Sequence, residues 1–243
     1  MIRERMYKER KANIAAFRGC GFQCCYCAFK NTLKRSKCKQ DQDFIPHSHL
    51  EVLSKRPPTT KHGEFVTIGM NGDISFASET TMNAIILYCW VWAEHTFLLQ
   101  SKNPAFFHEY KFPENVIIGT TMESNRTEFH DSDYWSYDFI SAAPNVNKRF
   151  DAMYELTSKK VITIEPILDF DIDIFLNAII DLKPEWVWVG YDSKPKRNLL
   201  PEPSLTKTQE LIKRLEDAGI SVRQKLIRKA WWEESEENPM AFF

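Results

Sequence analysis

The segment GCGFQCCYC places Cys20, Cys24 and Cys27 at C-x3-C-x2-C spacing, with Cys25 inside the run. Thiolates at such spacing hold soft transition metals or iron–sulfur clusters. A closed zinc site asks for four ligands in a tetrahedron, and Cys38, His47 or His49 could supply the fourth. A zinc ribbon usually offers a second C-x2-C knuckle, and the sequence has none. A [4Fe–4S] cluster has four irons held by thiolates. Three local cysteines would hold three of them and leave the fourth for a ligand. Cys38 and Cys89 lack a partner spacing, and Cys89 falls on the apolar face of a predicted helix, a core position. Cys25 is either a hydrogen donor or a neighbour of the ligands without a role of its own.

Positioning such a loop is the work of the elements around it. Apolar, β-branched runs recur at Asn13–Phe17, Phe65–Gly69, Thr96–Gln100, Val116–Thr120, Val161–Ile167, Trp186–Gly190 and Ile220–Leu226. Most are continuous and not alternating, as in strands covered on both faces. Helical patterns separate them. Met82, Ile85, Ile86, Cys89 and Ala93 follow Ser78, a predicted N-cap. Asn103-Pro104 opens a short helix to about Tyr110. Phe150, Met153 and Leu156 mark another, and Asp171 begins a fourth with Ile172, Phe175, Leu176, Ile179 and Leu182 on one face. Thr206 and Gln209 form a capping-box pattern ahead of Leu211, Ile212, Leu215 and a terminating Gly219. Strand–helix alternation predicts an α/β fold with a parallel sheet, as a full barrel, a partial barrel or a doubly wound sheet. The chain reads as one domain with its core at about 12–230. Two long intervals, 18–64 and 121–160, lie where such folds build sites.

At Cys20, Cys24, Tyr26 and Cys27 the sequence resembles the radical S-adenosylmethionine (radical SAM) superfamily, whose motif is C-x3-C-x-aromatic-C. The resemblance implies a partial parallel (β/α)6-type barrel, here with an extra C-terminal strand. It implies a [4Fe–4S] cluster on Cys20, Cys24 and Cys27 whose open iron binds SAM, and reductive cleavage of SAM to a 5′-deoxyadenosyl radical that abstracts hydrogen from a substrate. Tyr26 would lie near the adenine. Met70-Asn71-Gly72-Asp73 matches the family's Gly-rich acidic segment after the second strand, though it departs from Gly-Gly-Glu; Gly72 lets backbone approach the ligand, and Asp73 can accept from an ammonium. Ser101 and Lys102, then Thr121 and Glu123, match strand ends that hold the SAM carboxylate and ribose. Over residues 12–230 the likeness is to a branch of small proteins allied to the spore photoproduct lyase-like group. An electron donor such as ferredoxin or flavodoxin is the partner implied.

The remaining features bound the substrate loosely. Glu165, within VITIEPIL, is costly to bury and reads as cavity-lining. Residues 1–40 hold eleven Lys/Arg against two acids, a local +9, so the other 203 residues carry −10. With Lys194, Lys196 and Arg197, and with Arg223, Lys225, Arg228 and Lys229 before Trp231-Trp232, this is compatible with a nucleotide or nucleic acid, and a small metabolite or another protein is the alternative substrate. A net charge of −1 does not suit a non-specific polyanion binder. The six histidines show no metal pair at helical spacing and read as non-catalytic. No apolar stretch is long enough to cross a membrane, and MIRERMYKERK lacks the core of an export signal, so a cytoplasmic place with reduced thiols is expected. The rival to an enzyme is a non-enzymatic zinc module that docks nucleic acid through its basic N-terminal region.

Overall fold

The computed structural model describes residues 7–129 and 135–233. Arg3, Arg5, His130 and the tail beyond Glu233 with Phe242 and Phe243 lie outside the described residues. Seven strands make one sheet: β1 Arg10–Ile14, β2 Phe65–Ile68, β3 Phe97–Gln100, β4 Val116–Thr121, β5 Lys159–Ile164, β6 Trp186–Gly190 and β7 Val222–Lys225. Their order in the sheet is their order in the chain, and every neighbouring pair is parallel. The sheet curls into a half-barrel with helices outside, the expected α/β partial barrel.

The continuous apolar runs follow from a sheet buried on both faces. Successive side chains point to opposite faces. Val66, Ile68, Leu99, Ile118, Ile162, Val187 and Val189 belong to the large cluster that includes helix residues. The alternate residues Phe65, Leu98, Ile117, Val161, Trp186 and Trp188 form a second cluster with Tyr7. Each fully buried side chain of this kind contributes roughly 1.5–3 kcal/mol. Further along the same strands the residues turn polar: Gln100, two positions past Leu98, Thr121 and Glu165, four past Ile117 and Val161, and Lys225 on β7 line a cavity.

Among the described residues the α-helices of six residues or more are α1 Ala28–Leu33, α2 Glu79–Val91, α3 Val146–Glu155, α4 Ile172–Asp181 and α5 Leu205–Asp217. Ser78 caps α2 by accepting from Thr81 N–H, and Cys89 is fully buried on it, both as expected. Ser204, not Thr206, caps α5, accepting from Lys207 N–H. The helix after Asn103 is a 3-10 helix, Pro104–Glu109, and Asn103 makes no side-chain cap bond. The first predicted strand divides. β1 ends at Ile14, and Phe17–Gly19 joins a separate small sheet between His47–Ser48 and Asn71–Gly72. Among the described residues no helix is long and apolar enough to cross a membrane.

Candidate functional site

Gly19 ends the Phe17–Gly19 strand and hands the chain to Cys20. Its φ is +83°, and a Cβ there would lie 2.2 Å from Ile45 O; a Cβ on Gly72 would lie 2.0 Å from Gly19 O. Three backbones are therefore in direct contact, and only glycine permits it. Asp73 N–H donates to Gly19 O at 3.1 Å. The NGD segment after β2 is thus tied by backbone to the root of the cysteine loop.

The loop itself is pinned from several sides. Cys20 N–H donates to Phe44 O at 3.2 Å, Cys25 N–H to Ile140 O at 2.9 Å, and Cys27 N–H to Cys24 O at 3.1 Å. Cys24 Sγ lies 3.0 Å from Ser141 Oγ, and Cys20 Sγ accepts from Phe22 N–H at 3.4 Å. Burial, with the charge of Asp73 second, pushes the Cys20 thiol up to about 12; burial also raises Cys27. A metal or cluster entering here displaces thiol protons. The three sulfurs are not gathered as one ion's ligands would be. Among the described residues the trio whose ligand atoms lie within 4.8 Å of one another is Cys38, Asp41 and His47. The geometry thus separates Cys38 and His47 from the cysteine loop, against their reading as its fourth zinc ligand.

Cys20, Cys24, Tyr26 and Cys27 open on a cavity of about 430 Å³, together with Gly72, Asp73, Ser101, Lys102 and Thr121. Nine of the eleven sequence-predicted site residues therefore share one space. Asn71 stands outside the lining; its Oδ1 accepts from Asn13 Nδ2 at 2.8 Å. Glu123 also stands outside it, fully buried behind Lys102 and Tyr26.

Asp73 is held by neighbours it was predicted to work with. Its Oδ1 accepts from Ser75 N–H at 3.0 Å, from Ser75 Oγ at 2.8 Å and from Ser101 Oγ at 2.6 Å. Its Oδ2 accepts from Lys102 N–H at 2.8 Å. Ser101 in turn accepts from Asn103 N–H at 2.9 Å, so its hydroxyl is committed to orienting the carboxylate.

Glu123 centres a buried ionic network. Lys102 Nζ and Tyr26 O–H both donate to Glu123 Oε1, and Tyr137 O–H donates to the same oxygen at 2.9 Å. Arg149 reaches Glu123 Oε2 at 2.8 Å and Thr121 O at 2.7 Å. Burial would raise the Glu123 carboxyl, but the charges of Lys102 and Arg149 outweigh it and hold it at about 2. Arg149 and Tyr137 escaped the sequence reading. The available signal was an Arg one residue before Phe150, on the apolar side of what becomes α3.

Glu165 lines the cavity as expected and is also ion-paired, 2.5 Å from Lys225 Nζ; burial raises its pKa. The C-terminal basic residues are spent on internal partners. Arg223 lies over the rings of Trp186 and Trp188 and 3.2 Å from Glu9, and Arg228 pairs with the buried Glu202 at 2.6 Å. Trp231 and Trp232 donate their indole N–H groups to Leu200 O and Glu202 O. Both rings are half-buried, with their N–H groups turned to backbone carbonyls. Of the described Lys/Arg in the N-terminal basic block, Arg10 lines the cavity.

No family model and no curated protein matches the chain. Solved structures do. SuiB of Streptococcus suis bound to S-adenosylmethionine superposes with a TM-score of 0.56 at 10% identity, covering 90% of this chain and 51% of that one. SuiB bound to its precursor peptide SuiA gives 0.55 at 10% identity, covering 90% and 49%. A spore photoproduct lyase mutant with dinucleoside spore photoproduct gives 0.49 at 12% identity, covering 95% and 61%. The chain spans about half the length of the SuiB chains. This likeness is one of backbone: the chain shares its partial parallel barrel fold with SuiB, the kind of fold that the resemblance at the cysteine motif implied.

Proposed function

We propose that the chain is a radical SAM enzyme, with an iron–sulfur cluster on Cys20, Cys24 and Cys27 and SAM in the adjoining cavity. One observation carries this reading: three cysteines and the polar ends of β2, β3 and β4 open on the same space of about 430 Å³. The donor set fits a cluster better than one ion, because the sulfurs do not converge within 4.8 Å while all three face the cavity. When bound, cluster and cofactor would supply an electron and a 5′-deoxyadenosyl radical; the protein supplies ligation, orientation and shelter.

Several residues have assignable work. Asp73 Oδ2 accepts a single hydrogen bond within the protein and keeps a lone pair for the amino group of SAM. Ser101 holds that carboxylate in place. Gly72, without a side chain, keeps the backbone low beside the cysteine loop. Lys102 offers its ammonium at the cavity wall while Glu123, behind it, balances the charge. Tyr26 is fixed through its hydroxyl to Glu123, so its ring holds one orientation beside Cys27. Thr121 closes the far end of the same row, its hydroxyl accepting from Gln100 at 3.1 Å.

The lining left over for a substrate includes Arg10, Glu165, Asp192, Ser193 and Lys225. This wall carries both charges, so it suits a substrate with hydrogen-bonding groups, such as a nucleotide, over a bare polyanion. Electrons would come from a reductant of the ferredoxin or flavodoxin kind.

The test is anaerobic reconstitution with iron and sulfide, followed by SAM and dithionite. Release of 5′-deoxyadenosine from the native chain, and its loss in Cys24→Ala, is the expected result. A reconstituted chain that binds no inorganic sulfide overturns the reading.

A further inference from the structure

The segment after the cysteine loop gathers a second set of metal-binding atoms. His47 Nε2 lies 3.9 Å from Cys38 Sγ, 3.4 Å from Asp41 Oδ1 and 2.9 Å from His49 Nε2. A tetrahedral ion with bonds of about 2.0–2.3 Å sets its ligand atoms roughly 3.2–3.8 Å apart. The contacts of His47 Nε2 bracket that spacing; Cys38, Asp41 and His47 lie within 4.8 Å of one another, and His49 adjoins this trio through His47.

The tautomers sharpen the case. His47 Nδ1 lies 2.7 Å from Ile45 O, a carbonyl that can only accept. His49 Nδ1 lies 3.1 Å from Glu51 Oε1, a carboxylate. Each Nδ1 therefore carries the ring proton in a neutral imidazole, which leaves both Nε2 atoms bare and facing one another. Two lone pairs at 2.9 Å repel unless a cation or an added proton lies between them. Histidine ligands of metals show this arrangement, the distal nitrogen donating to a carbonyl or carboxylate.

Asp41 tells a cation from a proton. It is fully buried, and its Oδ1 makes no hydrogen bond. Its other oxygen is taken by Arg18 at 2.7 Å and Ser36 at 2.6 Å. A shared proton between two imidazoles needs neither a thiol nor a spare carboxylate oxygen beside it. A metal ion uses both. A bare carboxylate oxygen in the interior is unfavourable unless a cation meets it.

We propose that Cys38, Asp41, His47 and His49 form a structural zinc site, distinct from the cysteine loop. A thiolate, a carboxylate and two imidazoles make a closed tetrahedral set, the form of zinc sites that stabilise a fold. The site staples residues 36–49 against Phe17–Gly19, through the His47–Ser48 pairing and the Arg18–Asp41 bridge. That segment carries Ile45, pressed on Gly19, and Phe44, whose carbonyl holds Cys20 N–H. The metal would therefore brace one wall of the cavity without touching its contents.

Metal analysis of the full chain tests the proposal independently of any turnover. Native protein and Cys24→Ala, purified and then dialysed against zinc alone, should each retain about one zinc per chain. Cys38→Ser and His47→Gln should lower zinc retention roughly tenfold or more. Where a variant fails to fold, cobalt substitution of the Cys24→Ala chain gives the same answer: tetrahedral cobalt bands with a thiolate charge-transfer component are expected. Native protein that holds no zinc overturns the proposal. So does zinc that is lost in Cys24→Ala and kept in Cys38→Ser, or a cobalt spectrum without the thiolate component.

Discussion

Two sulfur-bearing stretches lie between β1 and β2, some ten residues apart, and they are built on different plans. Residues 20–27 spread their cysteines around a cavity, and their supports come from elsewhere: Phe44, Ile140, Ser141 and the Asn71–Gly72 strand. In residues 38–49 the side chains of Cys38, Asp41 and His49 draw in on His47 Nε2, and none of these four lines that cavity, which the segment meets only through Phe44. A site that must admit a ligand keeps a position open and leans on its surroundings for shape. A site that only braces the fold closes on itself. The difference predicts that damage to the scaffold disturbs the first stretch and spares the second.

Glu123 is the place to break that comparison most severely. Glu123→Ala leaves Lys102 and Arg149 as unpaired buried charges, a loss of about 3–5 kcal/mol. At about 2–4 °C per kcal/mol for a chain of this size, the melting temperature should fall by about 6–20 °C. Iron retention should drop with it, because Tyr26 loses its anchor two residues from Cys24, while zinc retention stays near native. The pH profile gives a second readout. The carboxyl is at about 2 in the fold against an ordinary 4.5, so its stabilisation is complete above pH 4.5 and is lost as pH falls from 4.5 toward 2. Glu123→Gln should flatten acid unfolding across that window. A melting temperature unchanged by Glu123→Ala defeats the account of the network.

The same comparison shows what a sequence can carry. The cysteine loop was legible because a ligand spacing survives in one dimension, and the strands because a sheet buried on both faces writes unbroken apolar runs such as Trp186–Gly190. The second cluster was hidden by its geometry. His47 and His49 carry no helical spacing, yet in an extended segment residues two apart share a face, and His47–Ser48 is a strand paired with Phe17–Arg18. Asp41 joins them only through a turn of backbone, Lys39–Gln42. Glu123 reads in sequence as a cofactor contact at a strand end. Its burial depends on Arg149 and Tyr137, brought in from α3 and from Tyr137–Ile140, and no local pattern announces them.

A smaller effect sharpens the open site alone. Asp73→Asn removes the charge meant for the amino group of SAM while keeping the size of the side chain. A charge-assisted hydrogen bond is worth about 1.5–3 kcal/mol, so SAM binding should weaken about 10–100-fold. Anaerobic calorimetry on reconstituted protein measures it, and iron and zinc contents should both hold. Equal affinity in the variant would move the amino-group contact away from Asp73.

Cys25 should give the least effect, and for that reason it tests the register of the motif. It is exposed, and its backbone N–H donates to Ile140 O, a bond that any side chain preserves. Cys25→Ser therefore changes stability by no more than about 0.5 kcal/mol. It should also leave iron content and 5′-deoxyadenosine release at native levels. Its neighbour Cys24 faces Ser141 Oγ and opens on the cavity, whereas Cys25 lines no part of it. Adjacent residues in an extended turn point apart, so one of the two can serve as a ligand and the other cannot without unpinning the loop from Ile140. Loss of iron in Cys25→Ser with iron kept in Cys24→Ala would shift the ligand set by one residue. The loop would then have to release its bond to Ile140, and the open plan drawn for it would fail.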